Sequence, residues 1–238
     1  MKKFTKTTRT LAALLVSGTA LTGVASAAEV TANVGATTDY IWRGMTQNDG
    51  GSSLSGGLDV DFGNGFYAGT WVGDTAATDV STETGDPAAT DFGTQEVDYY
   101  AGYAGEAGGL SYDVGYIAYT YPSSQSDADA DFSEFYVTVG MGALSASYYA
   151  LVDADGADAE DSTYISLDYG TEIGEYGLGL HYGIYEGDFV GSEDQVDMSV
   201  TLSKDAFSFS MVSTDDMNVA NQGVNDDTRF VVSWGAEF

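Results

Sequence analysis

The chain has 238 residues with 31 Gly, 17 Tyr, two Pro and no Cys, and its formal net charge at pH 7 is −30. The lack of Cys excludes disulfides and thiol chemistry. Such a negative chain repels the phosphate backbone, so nucleic-acid binding is excluded, and the length fits a single all-β unit.

Residues 1–27 differ from the rest of the chain. They open with basic residues, continue with an apolar run over residues 11–24, and end in Ala25, Ser26 and Ala27. This order is the anatomy of a secretory signal peptide, and the apolar run is too short and too interrupted to span a membrane as a helix. We therefore expect cleavage after residue 27 and a mature protein of residues 28–238.

Beyond residue 27 the apolar residues recur with a period of two, which is typical of strands with two different faces. The last segment shows this best, because Phe230, Trp234 and Phe238 fall on one face and Arg229 and Glu237 on the other. On this basis we predict twelve strands: Val30–Thr46, Ser53–Phe62, Phe66–Asp74, Gln95–Ala104, Leu110–Tyr121, Ser133–Gly140, Leu144–Val152, Thr163–Thr171, Tyr176–Tyr185, Gln195–Ser203, Phe207–Thr214 and Thr228–Phe238.

The connections between these strands alternate between long and short. Residues 63–65 and 141–143 are short links, whereas residues 75–94 and 215–227 are long ones. A soluble β-sandwich has no reason to alternate its loop lengths in this way. The pattern predicts a single up-and-down antiparallel transmembrane β-barrel with periplasmic termini, short periplasmic turns and long outer loops, and hence a location in the outer membrane of a Gram-negative bacterium.

One parity of the predicted strands is rich in carboxylates. Unpaired carboxylates cannot occupy a dry core, so this parity must face a water-filled lumen, where an acidic lining favours cations. The opposite parity carries apolar residues such as Leu58, Val137, Leu167 and Val200, for which we expect contact with lipid. The residues expected to line the lumen are Asp39, Arg43, Asp59, Asp61, Glu96, Asp98, Asp113, Glu134, Asp168, His181, Asp197 and Arg229.

Two of these lumen residues are arginines, expected as neighbours where the first and last strands meet. Arg43 and Arg229 either create a transverse field at a constriction, opposite acids further around the wall, or neutralise Asp39 and nearby acids to stabilise the seam. Both interpretations stay open at this point.

Aromatic residues near the strand ends are expected to form girdles at the two membrane interfaces. Those expected to do so, or to mark the end of the chain for assembly, are Tyr40, Trp42, Phe230, Trp234 and Phe238.

A search for catalytic chemistry finds a single histidine, His181. A barrel hydrolase needs a nucleophile or a carboxylate beside the histidine and a group to orient it, and a lone His among many Ser and Asp does not single one out. We therefore expect no enzyme, no catalytic residues, no cofactor and no dedicated metal site. Residues 153–161 resemble part of a calcium loop but lack its ligand order, so a dedicated site is not expected there. Loose association of Ca²⁺ or Mg²⁺ with the Asp-rich outer loops is the one metal interaction expected.

Several blocks resemble conserved segments of the TorF-family porins of proteobacteria. They are Asp39-Tyr-Ile-Trp-Arg43-Gly-Met-Thr-Gln47, Gly65-Phe-Tyr-Ala-Gly-Thr-Trp71, Glu96-Val-Asp98-Tyr-Tyr-Ala-Gly102-Tyr, Tyr119-Thr-Tyr121-Pro122 and Glu134-Phe-Tyr136. The resemblance covers the first half of the mature chain and implies an outer-membrane porin. The terminal Phe238, with Trp234 and Phe230 before it, resembles the signal that barrel-assembly machinery recognises.

The function expected from the sequence is passive diffusion of small hydrophilic solutes, with cations favoured. One alternative is a structural or adhesive barrel whose bore is filled by side chains such as Tyr100, Tyr119, Tyr136 and Tyr149. The others are a barrel hydrolase that uses His181 and a soluble secreted β-protein.

Overall fold

The computed structural model describes residues 28–75, 93–122, 131–154, 161–187, 194–215, 218–219, 223–224 and 228–238. The predicted signal peptide lies outside these residues, as do the segments 123–130 and 155–160 of the Asp-rich loops, for which divalent cations were expected.

Strands make up the secondary structure of the described residues, and none of those residues belongs to a helix long and apolar enough to cross a membrane. The strands are β1 (Glu29–Thr37), β2 (Ile41–Trp42), β3 (Met45–Thr46), β4 (Ser53–Asp61), β5 (Phe66–Asp74), β6 (Gln95–Ala107), β7 (Leu110–Thr120), β8 (Phe132–Met141), β9 (Leu144–Ala154), β10 (Thr163–Ile173), β11 (Tyr176–Glu186), β12 (Gln195–Lys204), β13 (Phe207–Asp215), β14 (Asn218–Val219), β15 (Gly223–Val224) and β16 (Thr228–Glu237).

Twelve of these strands close into one antiparallel barrel, as the alternation of the sequence predicts. Around the wall the order is β1, β4, β5, β6, β7, β8, β9, β10, β11, β12, β13 and β16. The barrel closes where β1 pairs with β16, with Asn33 opposite Glu237 and Thr37 opposite Ser233. The remaining strands form two small hairpins, β2 with β3 and β14 with β15.

The prediction of the first strand as Val30–Thr46 is wrong, because β1 ends at Thr37 and the chain then leaves the wall. The other predicted strands match barrel strands to within a few residues, and Phe66–Asp74 is predicted to the residue. We call the end of the barrel with the short connections the turn end and the opposite end the loop end. At the turn end, Gly108 and Gly109 link β6 to β7 at φ 62° and 86°, values that fit the tight turns joining twisted antiparallel strands.

The two faces of the wall differ in polarity. The outer face exposes large apolar side chains along the full length of the strands, and Leu58, for example, is 52% exposed in the middle of β4. The inner face carries buried carboxylates, hydroxyls and phenols. Leu58, Val137, Leu167 and Val200 are all exposed on the outside, as predicted.

Several inward tyrosines lie over glycines of a neighbouring strand. A Cβ at Gly69 would come within 2.4 Å of the ring of Tyr100, and one at Gly115 would come within 2.4 Å of the Tyr136 hydroxyl. Gly69 is the direct cross-strand partner of Tyr100, and Gly115 that of Tyr136. The missing side chains therefore make room for rings laid along the wall, a pairing that protects strand glycines. These rings therefore lie against the inner face of the wall. The segment that crosses the bore is the one between β1 and β4.

Candidate functional site

The segment between β1 and β4 folds into the barrel as a short hairpin. β2 and β3 pair with Ile41 opposite Thr46 and Trp42 opposite Met45, and we call Ile41–Thr46 the inner hairpin. Arg43 and Gly44 form its turn at φ 46° and 81°, the two positive values of a type I′ turn. A side chain in this left-handed conformation costs about 1 kcal/mol or more, so the turn keeps Arg43 at its tip at a local cost.

Polar contacts hold the stem of the inner hairpin at the loop end. The Tyr40 N–H donates to Oδ1 of Asn48 at 3.0 Å, and the Thr46 hydroxyl donates to Oδ1 of Asp39 at 2.6 Å. On the wall, Arg229 donates from Nη1 to the other oxygen of Asp39 at 3.2 Å. The expectation that Arg229 neutralises Asp39 at the seam thus agrees with this geometry.

The tip of the inner hairpin is tied to the opposite side of the barrel. Nη1 and Nη2 of Arg43 each donate to one oxygen of Glu134 at 2.7 Å, a bidentate ion pair. The side chains are only 6% and 1% exposed. Glu134 lies on β8, and β4, β5, β6 and β7 separate that strand from β1 around the wall. The expectation that Arg43 and Arg229 are seam neighbours is therefore wrong: Arg43 lies beyond the end of β1 and reaches across the bore.

Four aromatic rings surround the Arg43 guanidinium. Its central carbon lies 4.3 Å from the ring centroids of Trp42 and Tyr164 and 4.8 Å from those of Tyr149 and Tyr185. All four distances are within the range of cation–π attraction, and such contacts strengthen when water is excluded. The guanidinium is thus held by a carboxylate along its edge and by aromatic faces around it.

The predictions that Tyr40 and Trp42 belong to a membrane girdle are wrong. Trp42 packs inside the barrel, edge-on against Tyr119, Phe132 and Tyr185 at centroid distances of 5.8 to 5.9 Å. Tyr40 is 3% exposed and packs against Trp71. The physical reason is that the chain leaves the sheet after Thr37, so the inside–outside alternation of a strand no longer applies to these residues.

The other three predicted girdle residues, at the C-terminal end of the chain, have the exposure that a girdle requires. Phe230, Trp234 and Phe238 all lie on the outer face, and Phe238 is 78% exposed. The backbone of Phe238 pairs with that of Ala32, with N–H to O distances of 2.8 and 3.1 Å. The terminal aromatic therefore stands at the turn end, beside the seam.

Phenols, and not cations, contact most of the remaining lumen acids. Glu96 accepts from the hydroxyls of Tyr40 and Tyr121, each at 2.6 Å. Asp59 accepts from Tyr100 and from Asn33, and Asp113 accepts from Tyr67 at 2.7 Å. A neutral phenol stabilises a carboxylate by hydrogen bonding without cancelling its charge. Phenols therefore take the place of basic residues as the partners of these acids.

Asp98 and Asp61 differ from the other predicted lumen acids. Asp98 is buried next to Glu96 on the inner face of β6, and its Oδ1 atom has no hydrogen-bond partner among the described residues. Asp61 instead accepts from the Gly63 N–H at 2.7 Å and so stabilises a connection at the turn end. Asp98 and Glu96 thus form a buried pair of acids in the bore, whereas Asp61 stabilises a turn.

His181 is held between two carboxylates. Its Nδ1 lies 2.7 Å from Asp168 and its Nε2 lies 2.8 Å from Asp197, while the Tyr164 hydroxyl contacts the same Nε2 at 2.9 Å. Because carboxylates only accept, both contacts are hydrogen bonds when both ring nitrogens carry hydrogen. The structure brings Asp168, His181 and Asp197 together in one network. From the sequence, the three were predicted only as separate lumen residues.

The aromatic cage of Arg43 escaped the sequence analysis. Tyr164 and Tyr185 were not singled out, and Tyr149 was named only as a side chain that could fill the bore. The sequence signal that could have revealed the inner hairpin is Arg43-Gly44, because a Gly in second place is typical of a two-residue hairpin turn.

Taken together, a closed barrel of twelve antiparallel strands, with a polar inside and a hairpin in the bore, has the fold of porin-type β-barrels. The chain belongs to the bacterial family Gcw_chp, described as a bacterial protein of unknown function, whose model matches residues 21–232. A comparison with curated proteins finds no match.

Among solved structures, the chain is similar to one titled KdgM porin, with a TM-score of 0.50 and 11% identity over 87% of this chain and 98% of that one. The crystal structure of Acinetobacter baumannii OccAB4 gives a TM-score of 0.41 and 12% identity over 84% of this chain and 56% of that one. The structure titled Outer-membrane expressed OmpT of Vibrio cholerae gives a TM-score of 0.34 and 12% identity over 92% of this chain and 99% of that one. At such identities the likeness to the KdgM porin shows the fold alone.

Proposed function

We propose that this protein is a porin of the outer membrane of a Gram-negative bacterium, related to the TorF-family porins, through which small hydrophilic solutes diffuse passively and cations are favoured. The observation that carries the proposal is the reversed polarity of the wall, which is apolar outside and acidic inside. A soluble protein places its apolar side chains inside and limits the size of exposed apolar patches.

The outer face supports the membrane location. Exposed apolar residues occur on both halves of the barrel, with Val30 and Leu54 on one side and Leu144 and Leu167 on another. Because the barrel is closed, its backbone polar groups are paired within the wall, as a hydrocarbon environment demands. Fractionation of cells should place the protein with outer-membrane lipid, and recovery from the soluble periplasmic fraction would contradict this part of the proposal.

The charge inside the barrel supports the preference for cations. Each of the two lumen arginines pairs with one acid, Arg43 with Glu134 and Arg229 with Asp39. Phenols, an amide, a hydroxyl or His181 contact five of the other inward acids, which are Asp59, Glu96, Asp113, Asp168 and Asp197. A bore lined in this way attracts cations and repels anions.

The inner hairpin supports a bore that is closed or narrowed near its loop end. Residues 39–46 contact side chains of β5, β6, β7, β8, β9, β10, β11 and β16. The same contacts favour a second candidate function, a structural barrel whose bore stays filled. The two functions differ in whether the wild-type protein or a variant with a released hairpin conducts ions.

Planar-bilayer recording on protein extracted from outer membranes tests the proposed function. We expect discrete current steps, and in a KCl gradient a reversal potential on the cation side. The variant Asp59→Asn, at an inward acid that accepts from Tyr100, should shift that potential toward zero. The surface variant Glu175→Gln should not, because Glu175 is 82% exposed at the turn end. Silence of wild-type and Arg43→Ala proteins, both migrating as folded barrels before heating, would favour the filled structural barrel.

Processing and assembly complete the proposal. The mature protein should begin at Ala28, and the assembly machinery should recognise the strand that ends in Phe238. Amino-terminal sequencing of protein from the outer membrane tests the first statement, since a sequence that starts at Met1 would contradict it. Addition of millimolar Ca²⁺ tests the proposed loose binding at the outer loops. We expect the thermal stability of the protein to change, and an unchanged stability would contradict this binding.

The surroundings of His181 support a structural role over that of a serine hydrolase. Both ring nitrogens face carboxylates, and the contacts of Nε2 are Asp197 and the Tyr164 hydroxyl. A serine hydrolase would instead need a serine hydroxyl at that nitrogen. Phospholipase or peptidase activity of the purified protein that disappears in His181→Gln would contradict this assignment.

A further inference from the structure

The partners of Arg43 divide into those on its own hairpin and those on the barrel wall. Trp42 is its neighbour in the chain, whereas Glu134, Tyr149, Tyr164 and Tyr185 come from the adjacent strands β8, β9, β10 and β11. We call these four wall residues the wall site. If the inner hairpin moved away, the wall site would keep a carboxylate and three ring faces that converge on one point.

The chemistry of the wall site matches a guanidinium group in two ways. Glu134 binds both terminal nitrogens of Arg43 in the fork geometry that a planar guanidinium offers and an ammonium does not. Tyr149, Tyr164 and Tyr185 present their faces at 4.3 to 4.8 Å, where a flat and weakly hydrated cation gains most. The site is thus selective in shape as well as in charge.

With the inner hairpin docked, the wall site also requires a cation. Glu134 is 1% exposed, and apart from Arg43 its side chain accepts from the Tyr119 hydroxyl at 3.3 Å. A carboxylate buried to this degree is strongly disfavoured once its cationic partner is removed. The Arg229 pair provides a contrast, because that arginine donates to Asp39 through Nη1 at the longer distance of 3.2 Å and its side chain remains 25% exposed.

We propose that the wall site binds solutes that carry a guanidinium group, and that Arg43 occupies it as an internal substitute for such a solute. The inference rests on the proposed function, in which the bore is a route for small cations, and it names their class. A solute that competes with Arg43 for Glu134 and the tyrosines displaces the tip of the inner hairpin. The solute and the hairpin therefore exclude each other at this position.

Calorimetric titration of the Arg43→Ala protein in detergent with L-arginine and L-citrulline tests the site. L-citrulline has nearly the same shape but no charge, so the comparison isolates the guanidinium. We expect L-arginine to bind this variant at least tenfold more tightly than L-citrulline, and at least tenfold more tightly than it binds wild type, in which Arg43 competes. L-lysine should bind more weakly than L-arginine, because an ammonium cannot make the paired contact with Glu134.

The double variant Arg43→Ala/Glu134→Gln is the matched control. It should lose the preference for L-arginine over L-citrulline. Equal binding of the two amino acids to Arg43→Ala would overturn the proposal. Equal binding of L-arginine and L-lysine, or a preference that survives Glu134→Gln, would also overturn it, since attraction to the acidic bore as a whole would then suffice.

A second measurement keeps the natural Arg43 and so does not depend on the folding of the alanine variant. The chain has no Cys, so Met45→Cys places a single thiol on the inner hairpin, beside the tyrosines of the cage. L-arginine at saturating concentration should accelerate alkylation of this thiol severalfold, and L-citrulline should not. An unchanged rate with L-arginine would contradict displacement of the hairpin.

Failure of this inference can be told apart from failure of the porin proposal. Binding is measured in detergent and needs no conduction. Selective L-arginine binding by a barrel that stays silent in bilayers would leave the site standing and remove the channel. Cation-selective conduction without selective binding would leave the channel standing and remove the site.

Discussion

Replacement of Glu134 by glutamine should release the inner hairpin. The substitution keeps the size of the side chain and removes the only charge that pairs with Arg43 in the described contacts, at two distances of 2.7 Å. Removing one partner of a buried ion pair costs about 3–5 kcal/mol, because the other charge stays buried without compensation. The docked hairpin bears this cost, whereas an undocked hairpin returns Arg43 to water.

The expected effect is a shift of the docking equilibrium by roughly 10² to 4 × 10³, since every 1.4 kcal/mol corresponds to a factor of ten. The aromatic contacts of Arg43 remain in the variant, so the lower end of this range is the firmer expectation. Alkylation of the single thiol in Met45→Cys reports the undocked fraction, because the rate follows the population of the open state when docking is fast.

We therefore expect the Met45→Cys/Glu134→Gln protein to react about a hundredfold faster than Met45→Cys alone. Glu175→Gln is the matched control, because it breaks an ion pair with Lys204 that is exposed at the turn end, and exposed pairs contribute about 0–1 kcal/mol. Equal alkylation rates in the single and the double variant would refute the reasoning that the ion pair holds the hairpin in place.

Three further predictions concern changes to residues of the barrel wall and its C-terminal end. Gly183→Ala should lower the free energy of unfolding by about 1–3 kcal/mol, because a Cβ there would lie 2.1 Å from the Tyr164 hydroxyl. The control Gly170→Ala should change it little, because a Cβ there has no atom within 4 Å. The temperature at which each variant loses its folded migration on a gel measures the difference, and equal losses would contradict this. Leu58→Arg should destabilise the inserted barrel by about 2–4 kcal/mol if that residue faces the bilayer midplane, and urea unfolding in vesicles measures it. Deletion of Phe238 should reduce the amount of barrel assembled in cells, and unchanged amounts would argue against its role as a signal.

Most of the barrel was predictable because strand alternation and tight turns depend on residues that are close together in the sequence. Strands with two different surroundings must alternate in polarity, and tight turns need glycine or a similar residue, so β4 to β13 could be placed from the sequence with small errors at their ends. The carboxylates of these strands face inward for the same reason. The regular β8–β9 ladder is interrupted at Ser133 and Glu134 by a register shift, which the alternation did not reveal.

The inner hairpin was not predicted because its alternation imitates that of a strand. Tyr40 and Trp42 continue the apolar parity beyond Thr37, so a pattern of period two extends the first strand to Thr46 without a break. Only long-range contacts decide that this segment packs inside the bore and not in the wall, and these contacts join residues far apart in the chain. The arrangement of tyrosine rings over glycines depends on cross-strand register in the same way.

The position of the inner hairpin imposes an order on the assembly of the molecule. Its tip contacts Glu134, 91 residues later in the chain, and its stem contacts Arg229, 190 residues after Asp39. Contacts between such distant residues form late and slowly. The hairpin is synthesised before the wall residues that hold it, so it can dock only after those strands have formed. The last of these strands to be made is β16, and its Arg229 reaches Asp39 only when the seam with β1 closes.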